Sequence, residues 1–368
     1  MIKSIGEDKE LKYEYWFANV KGLGDKRKYE IRSKFSSAVE LYNIEEMGLK
    51  KIGLLPKECK YILESKKSWE VDKQYFLLQH QNVHFVTRFD KDYPGKLKEI
   101  AAPPYSLYVK GKLPSEERLS VAIVGARECS PYGERMAYQF SEALAYEGIQ
   151  IISGMARGID GVSQKGAIQA GGKTYAVLGC GVDVCYPREH QRLYKEIQES
   201  GGIISERPLG VNPLAQYFPA RNRIISGLAD VVIVIEAKER SGSLITADMA
   251  LEQGKDVYAL PGPASSSLSR GCHALIKQGA GILLSPKELL EDLGFMYKNK
   301  QRNFEENKIS LESQENMVYS CLDFEPQNLG QLSATTNLEI PTLLNVLMDL
   351  ELKGYIQQVS KNYYVKLK

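Results

Sequence analysis

From Val121 onward, short apolar runs alternate with longer amphipathic stretches. The runs predict strands at 121–124, 150–153, 174–178, 203–205, 231–235, 257–260 and about 281–284. Helical patterns fill the gaps at 132–147, 160–171, 188–200, 221–229, 242–254, 271–279 and 286–293. Strands that alternate with helices make βαβ units, so the pattern predicts a parallel, Rossmann-like sheet with helices on both faces. The run Val121 to Val124 is the clearest. It is continuous and rich in β-branched residues, and it passes directly into Gly125-Ala126-Arg127. A strand buried on both faces reads this way.

The flanks read differently. Residues 1 to about 80 are helical in pattern, with glycine hinges at Lys21-Gly22-Leu23-Gly24 and Ile52-Gly53-Leu54-Leu55-Pro56. Such hinges are either plain turns or helix-hairpin-helix units that offer backbone N–H groups to phosphate. A short strand at 83–86, the prolines 94, 103 and 104, and Leu107-Tyr108-Val109 lead into the main domain. Residues 296–311 are polar and read as a linker. Beyond it, three apolar-faced helices and the hairpin from Gly354 to Val365 predict a winged helix. The expected fold class is α/β, built on an extended Rossmann-like parallel sheet. A helical domain (1–82, helix-hairpin-helix or SAM-like) is followed by an extended Rossmann-like domain (83–295), a linker (296–311) and a winged helix (312–368).

The loops after the predicted strands carry the chemistry. They are Gly125-Ala126-Arg127, Ser153 to Gly158, Gly179-Cys180-Gly181, Ser205-Glu206-Arg207 and Arg240-Ser241-Gly242-Ser243. In a parallel sheet these loops gather along one edge, where ligands bind. Glycine loops that open helices present N–H donors and a dipole favourable to anions. The stretch Phe218-Pro219-Ala220-Arg221-Asn222-Arg223 places two arginines at a predicted helix start, the wrong end for cations unless an anion lies between them.

Several chemistries are not encoded. There is no GxGxxG after a strand, no GxxxxGK[ST], no HExxH and no GxSxG. Four histidines show no catalytic spacing, and His80 with His84 lack a third ligand, so neither a metal nor a cofactor is expected. Asp160, Glu206, Asp230 and Glu236 are the candidate acids, with Asp160 placed to cap a helix. Six scattered cysteines without a CxxC pair read as reduced thiols in a cytoplasmic protein. The charged first residues lack a leader's apolar core, and no apolar run is long enough to span a membrane. The formal net charge of +2 gives no polyanion signal by itself, but its distribution is uneven. Residues 1–111 hold 21 Lys+Arg against 16 Asp+Glu, and residues 312–368 hold 4 against 7. The predicted third helix of the winged helix carries Asp349 and Glu351, so it would repel phosphates. A protein-contact or packing role is therefore expected for it.

One set of segments resembles the DNA-processing protein A family (DprA, also called Smf). It comprises Tyr93-Pro94, Leu107 to Gly111, Val121 to Arg127, Ser153 to Asp160, Phe218 to Leu228, Ser241 to Ala247 and Ile276-Lys277-Gln278-Gly279-Ala280. They occur in the family's order across roughly residues 90–285. The resemblance implies a bacterial cytoplasmic homodimer without catalysis. Such a protein binds single-stranded DNA, protects incoming strands and loads RecA recombinase onto them in natural transformation. It places the family's phosphate pocket on Gly125, Arg127, Arg221, Asn222, Arg223, Gly242 and Ser243. Ala126, Gly154, Arg157, Phe218 and Thr246 complete the expected DNA-contacting set. Ala126 stands where the family usually has serine, which removes one hydroxyl but keeps the backbone N–H. The alternative is a nucleotide-phosphate hydrolase of the lysine-decarboxylase-like type. Its Pro-Gly-Gly-x-Gly-Thr motif is replaced here by Ser241-Gly242-Ser243-Leu244-Ile245-Thr246.

Overall fold

The computed structural model describes residues 5–295, 313–323 and 326–366, and the expected linker at 296–311 lies outside them. The chain forms two compact units: residues 1–129 with 137–289, and 290–368 with 130–136.

The larger unit is built on a nine-stranded sheet. In chain order its strands are β1 (His84–Thr87), β2 (Ser106–Gly111), β3 (Ser120–Gly125), β4 (Gln150–Ser153), β5 (Thr174–Val177), β6 (Gly202–Ser205), β7 (Val231–Ile235), β8 (Asp256–Ala259) and β9 (Gly281–Ile282). Across the sheet they run β1-β2-β6-β5-β4-β3-β7-β8-β9. Strands β3 to β9 pair in parallel, while β1 and β2 add an antiparallel edge beyond β6. Chain order reverses between β3 and β7, which pair from Val121↔Val231 to Gly125↔Ile235. This is the topological switch point of an open α/β sheet, where a crevice opens.

Alternation along each strand sorts side chains to two faces. Phe85, Tyr108, Ala176 and Ile203 share one core with the N-terminal helices. Val86, Leu107, Val109, Val177 and Ile204 share the other with the helices Tyr217–Leu228, Gly242–Glu252 and Arg270–Lys277. The helical segment is therefore seated on the sheet. Trp16 and Phe17 are fully buried in it, Asn19 Nδ2 donates to the Tyr108 hydroxyl at 2.9 Å, and the Tyr105 hydroxyl donates to Glu14 at 2.7 Å. Both glycine hinges occur, between the helices Ile5–Ala18 and Asp25–Arg32 and between Glu46–Lys51 and Pro56–Ser68. Gly22 has φ +85°, and a Cβ there would lie 2.6 Å from the Tyr61 ring. The first hinge therefore admits no side chain at position 22.

Two helices differ from the expectation. The one predicted from 221 begins at Tyr217, four residues earlier. Pro219 is tolerated because the first-turn N–H groups have no intrahelical acceptor. The one predicted from 188 begins as a 3-10 turn, Arg188–His190, before the α-helix Gln191–Ser200.

The smaller unit has the helices Ser313–Cys321, Leu329–Thr336 and Ile340–Leu352 and a three-stranded sheet. Its strands are β10 (Gln327–Asn328), β11 (Ile356–Ser360) and β12 (Tyr363–Lys366), in the order β10-β12-β11. Asn328 and Gln331 form a capping box at the second helix. Val318, Leu332, Leu343, Leu347, Leu350 and Ile356 fill the core, giving a winged helix. No helix among the described residues is long and apolar enough to cross a membrane.

Candidate nucleic-acid interface

A cavity of about 570 Å³ opens at the switch point, beyond the carboxyl ends of β3 and β7. Gly125, Ala126, Arg127, Phe218, Arg221, Asn222, Gly242, Ser243 and Thr246 all line it. A smaller recess adjoins it and shares Arg127, Ala156, Tyr186, Phe218 and Arg221; Gly154 and Arg157 line that recess. The fold thus brings eleven of the twelve expected residues to one place.

Close backbone approach builds the floor. A Cβ on Gly125 would lie 1.9 Å from the Ile235 carbonyl oxygen, so only glycine can end β3 beside β7. Among the described residues, three of the five non-glycine residues with positive φ are asparagines, which tolerate that conformation. The others, Met155 (φ 55°) and Glu236 (φ 53°), closely follow the ends of β4 and β7. Strain of this kind gathers at functional sites.

Arg221 is the central cation. It is 4% exposed, and its Nη1 donates to the Gly154 carbonyl at 3.0 Å and to the Val177 carbonyl. Its Nε is buried without a hydrogen-bond partner. Burial pushes the guanidinium down to about 10, partly offset by Asp160, so it stays charged at neutral pH. Gly154 is glycine for this reason: a Cβ there would sit 2.3 Å from Arg221 Nη1. Asp160 lies in the first turn of the helix Ile159–Gln169 and accepts from the Gly154 N–H at 3.1 Å and from Ala156. It pins the 154–160 loop instead of capping the helix, whose N-cap is Gly158.

The helix Gly242–Glu252 points its N-terminus at the cavity. Ser241 caps it by accepting from the Ser243 N–H, and Asn222 Nδ2 reaches the Gly242 carbonyl at 3.2 Å. Above lies an aromatic wall. The Phe218 ring has the Arg127 guanidinium 5.6 Å from its centroid, Arg221 at 6.0 Å and the Tyr186 ring at 5.6 Å. Tyr186 is 41% exposed.

Arg223 departs from the expectation. Its guanidinium leaves the cavity and donates to Glu206, to the Ala102 carbonyl at 2.8 Å and to the Ala220 carbonyl at 2.6 Å. Residues two apart on a helix do not share a face. Arg157 is exposed and ion-paired with Glu189. Of the remaining acids, Glu206 also holds Arg207, and Asp230 holds Lys96 at 2.7 Å and the Ser120 N–H at 2.8 Å.

Sequence reasoning missed Lys238 and Tyr186, which also line the cavity, and named Arg240 only as part of its loop, not among the contact residues. Lys238 and Arg240 are exposed, and neither is held in an ion pair among the described residues. The signal was available: two cations just before Ser241-Gly242-Ser243, on the loop that follows β7. The cavity thus sets Arg127, Arg221, Lys238 and Arg240 against Glu128 and Asp160.

Burial raises the Asp160 carboxyl above the usual carboxylate range, against the pull of Arg221. A carboxylate here offsets part of the cavity's positive charge. Asp160→Asn keeps the shape and one acceptor, and should tighten polyanion binding by about fivefold, from about 1 kcal/mol of relieved repulsion. The wild type should also gain affinity on acidification, beginning at a higher pH than for an ordinary aspartate, and the variant should lack that component. Titration of single-stranded oligonucleotides at several pH values reads both. Weaker binding by a folded Asp160→Asn protein would show that the loop's geometry matters more than the charge.

Comparison with known proteins agrees with the geometry. Residues 84–294 match the model for DNA recombination-mediator protein A, and residues 303–361 match the DprA winged helix domain. Protein Smf of Escherichia coli is 38% identical over 329 residues, 87% of each chain. DNA processing protein DprA of Streptococcus pneumoniae is 42% identical over 227 residues, 62% of this chain and 80% of its own length. The X-ray structure of the Streptococcus pneumoniae protein superposes with a TM-score of 0.68 at 36% identity, covering 77% of this chain and 99% of that one. A structure of DNA processing protein A from Helicobacter pylori, solved for its single-stranded DNA binding mode, gives 0.52 at 29% identity over 57% and 95%. With more than half its length matched by one family model, the chain belongs to the DNA recombination-mediator protein A family.

Proposed function

We propose that this protein binds single-stranded DNA at the switch-point cavity, gripping phosphates with Arg127, Arg221, Lys238, Arg240 and the N-terminus of the helix Gly242–Glu252. Phe218 and Tyr186 offer ring faces on which bases stack, a contact that tolerates any sequence. The observation that carries the reading is Arg221: a buried guanidinium with an unpartnered Nε, beside three exposed cations. The Helicobacter pylori relative, whose structure concerns single-stranded DNA binding, supports it. Gly125, Ala126, Asn222, Ser243 and Thr246 shape the pocket, and Gly154 and Arg157 border it. Arg223 serves the fold.

For the wider role we infer, from the family resemblance, DNA processing in natural transformation, protection of incoming strands and loading of RecA onto them, by a homodimer. The outer edge of β9, with Ile282 50% and Leu284 62% exposed, offers a second copy an apolar face. Binding is favoured over hydrolysis because Asp160, Glu206 and Asp230 are each engaged by neighbours. Release of free base from nucleoside monophosphates beyond one equivalent would revive the enzyme.

The proposal places DNA on the larger unit. A chain truncated after Gly294 should keep most of its affinity for single-stranded oligonucleotides, measured by fluorescence anisotropy. Abolished binding by a truncated protein that remains folded would move the DNA site to the winged helix.

A further inference from the structure

We propose that the outer face of the helix Ile340–Leu352 is a docking site for a basic amphipathic helix of another protein. The inner face of this helix, Leu343, Val346, Leu347 and Leu350, builds the core of the winged helix. The outer face should be polar if it met only water. Instead Ile340, Leu344, Met348 and Leu352 are 49%, 38%, 62% and 76% exposed. They recur every four residues, so they form one continuous ridge along the helix. Scattered apolar residues on a surface are ordinary; an aligned ridge marks an interaction site.

Charge decides what fits the ridge. The helix contains no lysine or arginine, and Glu339, Asp349 and Glu351 are all exposed around it. Lys353, just past its end, is ion-paired with Glu315, and Lys366 lies 4.2 Å from the centroid of the Tyr319 ring. A phosphate backbone laid along this helix would meet carboxylates and find almost no counter-charge. A second copy of the same helix would bring its own carboxylates against these, and like charges across an interface are costly. A helix with an apolar ridge flanked by lysine and arginine satisfies both features. The apolar side chains interdigitate, and the rim charges steer the encounter. Thirteen residues span about 20 Å, enough for three to four turns of the partner. Met348, unbranched and near the centre, adapts to the partner's shape.

The test uses the full chain and two synthetic labelled peptides. Both carry a leucine ridge at helical spacing. One is flanked by lysine and arginine, the other by glutamate. Anisotropy should show the basic peptide binding and the acidic one not, with Met348→Glu weakening the basic peptide about tenfold or more. Leu352→Glu, in the last turn of the helix, is the second variant should the first fail to fold. Affinity for single-stranded DNA should be the same in both variants as in the wild type. The proposal fails if neither peptide binds, if both bind alike, or if the folded variants bind the basic peptide as the wild type does. It fails also if the variants lose DNA affinity, which makes this a DNA-contacting helix. Loss of self-association on sedimentation of Met348→Glu would assign the ridge to a second copy of the chain, and would overturn it too.

Discussion

Replacing Arg127, Lys238 and Arg240 together with alanine is expected to reduce the slope of log affinity against log salt by about 2, at roughly 0.7 for each single-strand phosphate left without its cation. All three side chains are exposed and line one cavity. Their removal takes charge from the ligand and little from the fold. At low salt each should cost about tenfold in affinity, near the lower end for a charge-assisted hydrogen bond. The loss should be alike for oligonucleotides of different base sequence, because phosphate contacts position a strand without reading it. Arg127→Lys should recover only part of the affinity, since an ammonium lacks the planar fork and stacks less well on Phe218. A folded triple variant with an unchanged slope would remove the cavity from the DNA path. A loss that varied with base sequence would mean that these side chains reach base edges.

Much of this site was legible because the central strands β3 and β7 are closed apolar runs. Val231–Ile235 is buried at every position, and its end could be read to the residue. Strand ends locate the loops, and the loops locate the ligand edge. Two things were not legible. The first is direction within a helix. Arg221 and Arg223 look equivalent in sequence, yet two residues of helical rotation send one into the cavity wall and the other toward Glu206. The second is strand order. The loop with Lys238 and Arg240 could be placed on the ligand edge, but that it faces Arg127 follows from β7 lying beside β3, and the sequence contains no statement of that neighbour relation. The apolar ridge on the helix Ile340–Leu352 was hidden likewise. Its residues read as part of a generally apolar helix until the core claims one side and leaves the other.

The split between the two arginines makes the last prediction. Arg223→Ala should leave the salt slope of DNA binding unchanged while destabilising the larger unit by about 3–5 kcal/mol, the scale for stripping one partner from a buried ion pair. Glu206 has a side chain only 6% exposed, and Arg223 only 16%. Without Arg223, Glu206 keeps Arg207 alone, and the Ala102 and Ala220 carbonyls lose the bonds that Arg223 gives them. The half-buried Asp25 carboxyl, from the helical segment, is already raised by burial and by Glu206, and it would forfeit the relief that Arg223 gives. Its pKa should rise further, and a raised carboxyl stabilises the fold below its unfolded value and loses that contribution as pH rises. The stability gap between variant and wild type should therefore widen from acid toward neutral pH. The double variant Arg223→Ala/Glu206→Ala should be less damaged than the two single losses added together, since no buried carboxylate is left facing Asp25. Denaturant midpoints across pH measure all three proteins. A shift of about 0.7 in the salt slope of Arg223→Ala, with an unmoved midpoint, would return this guanidinium to the DNA site.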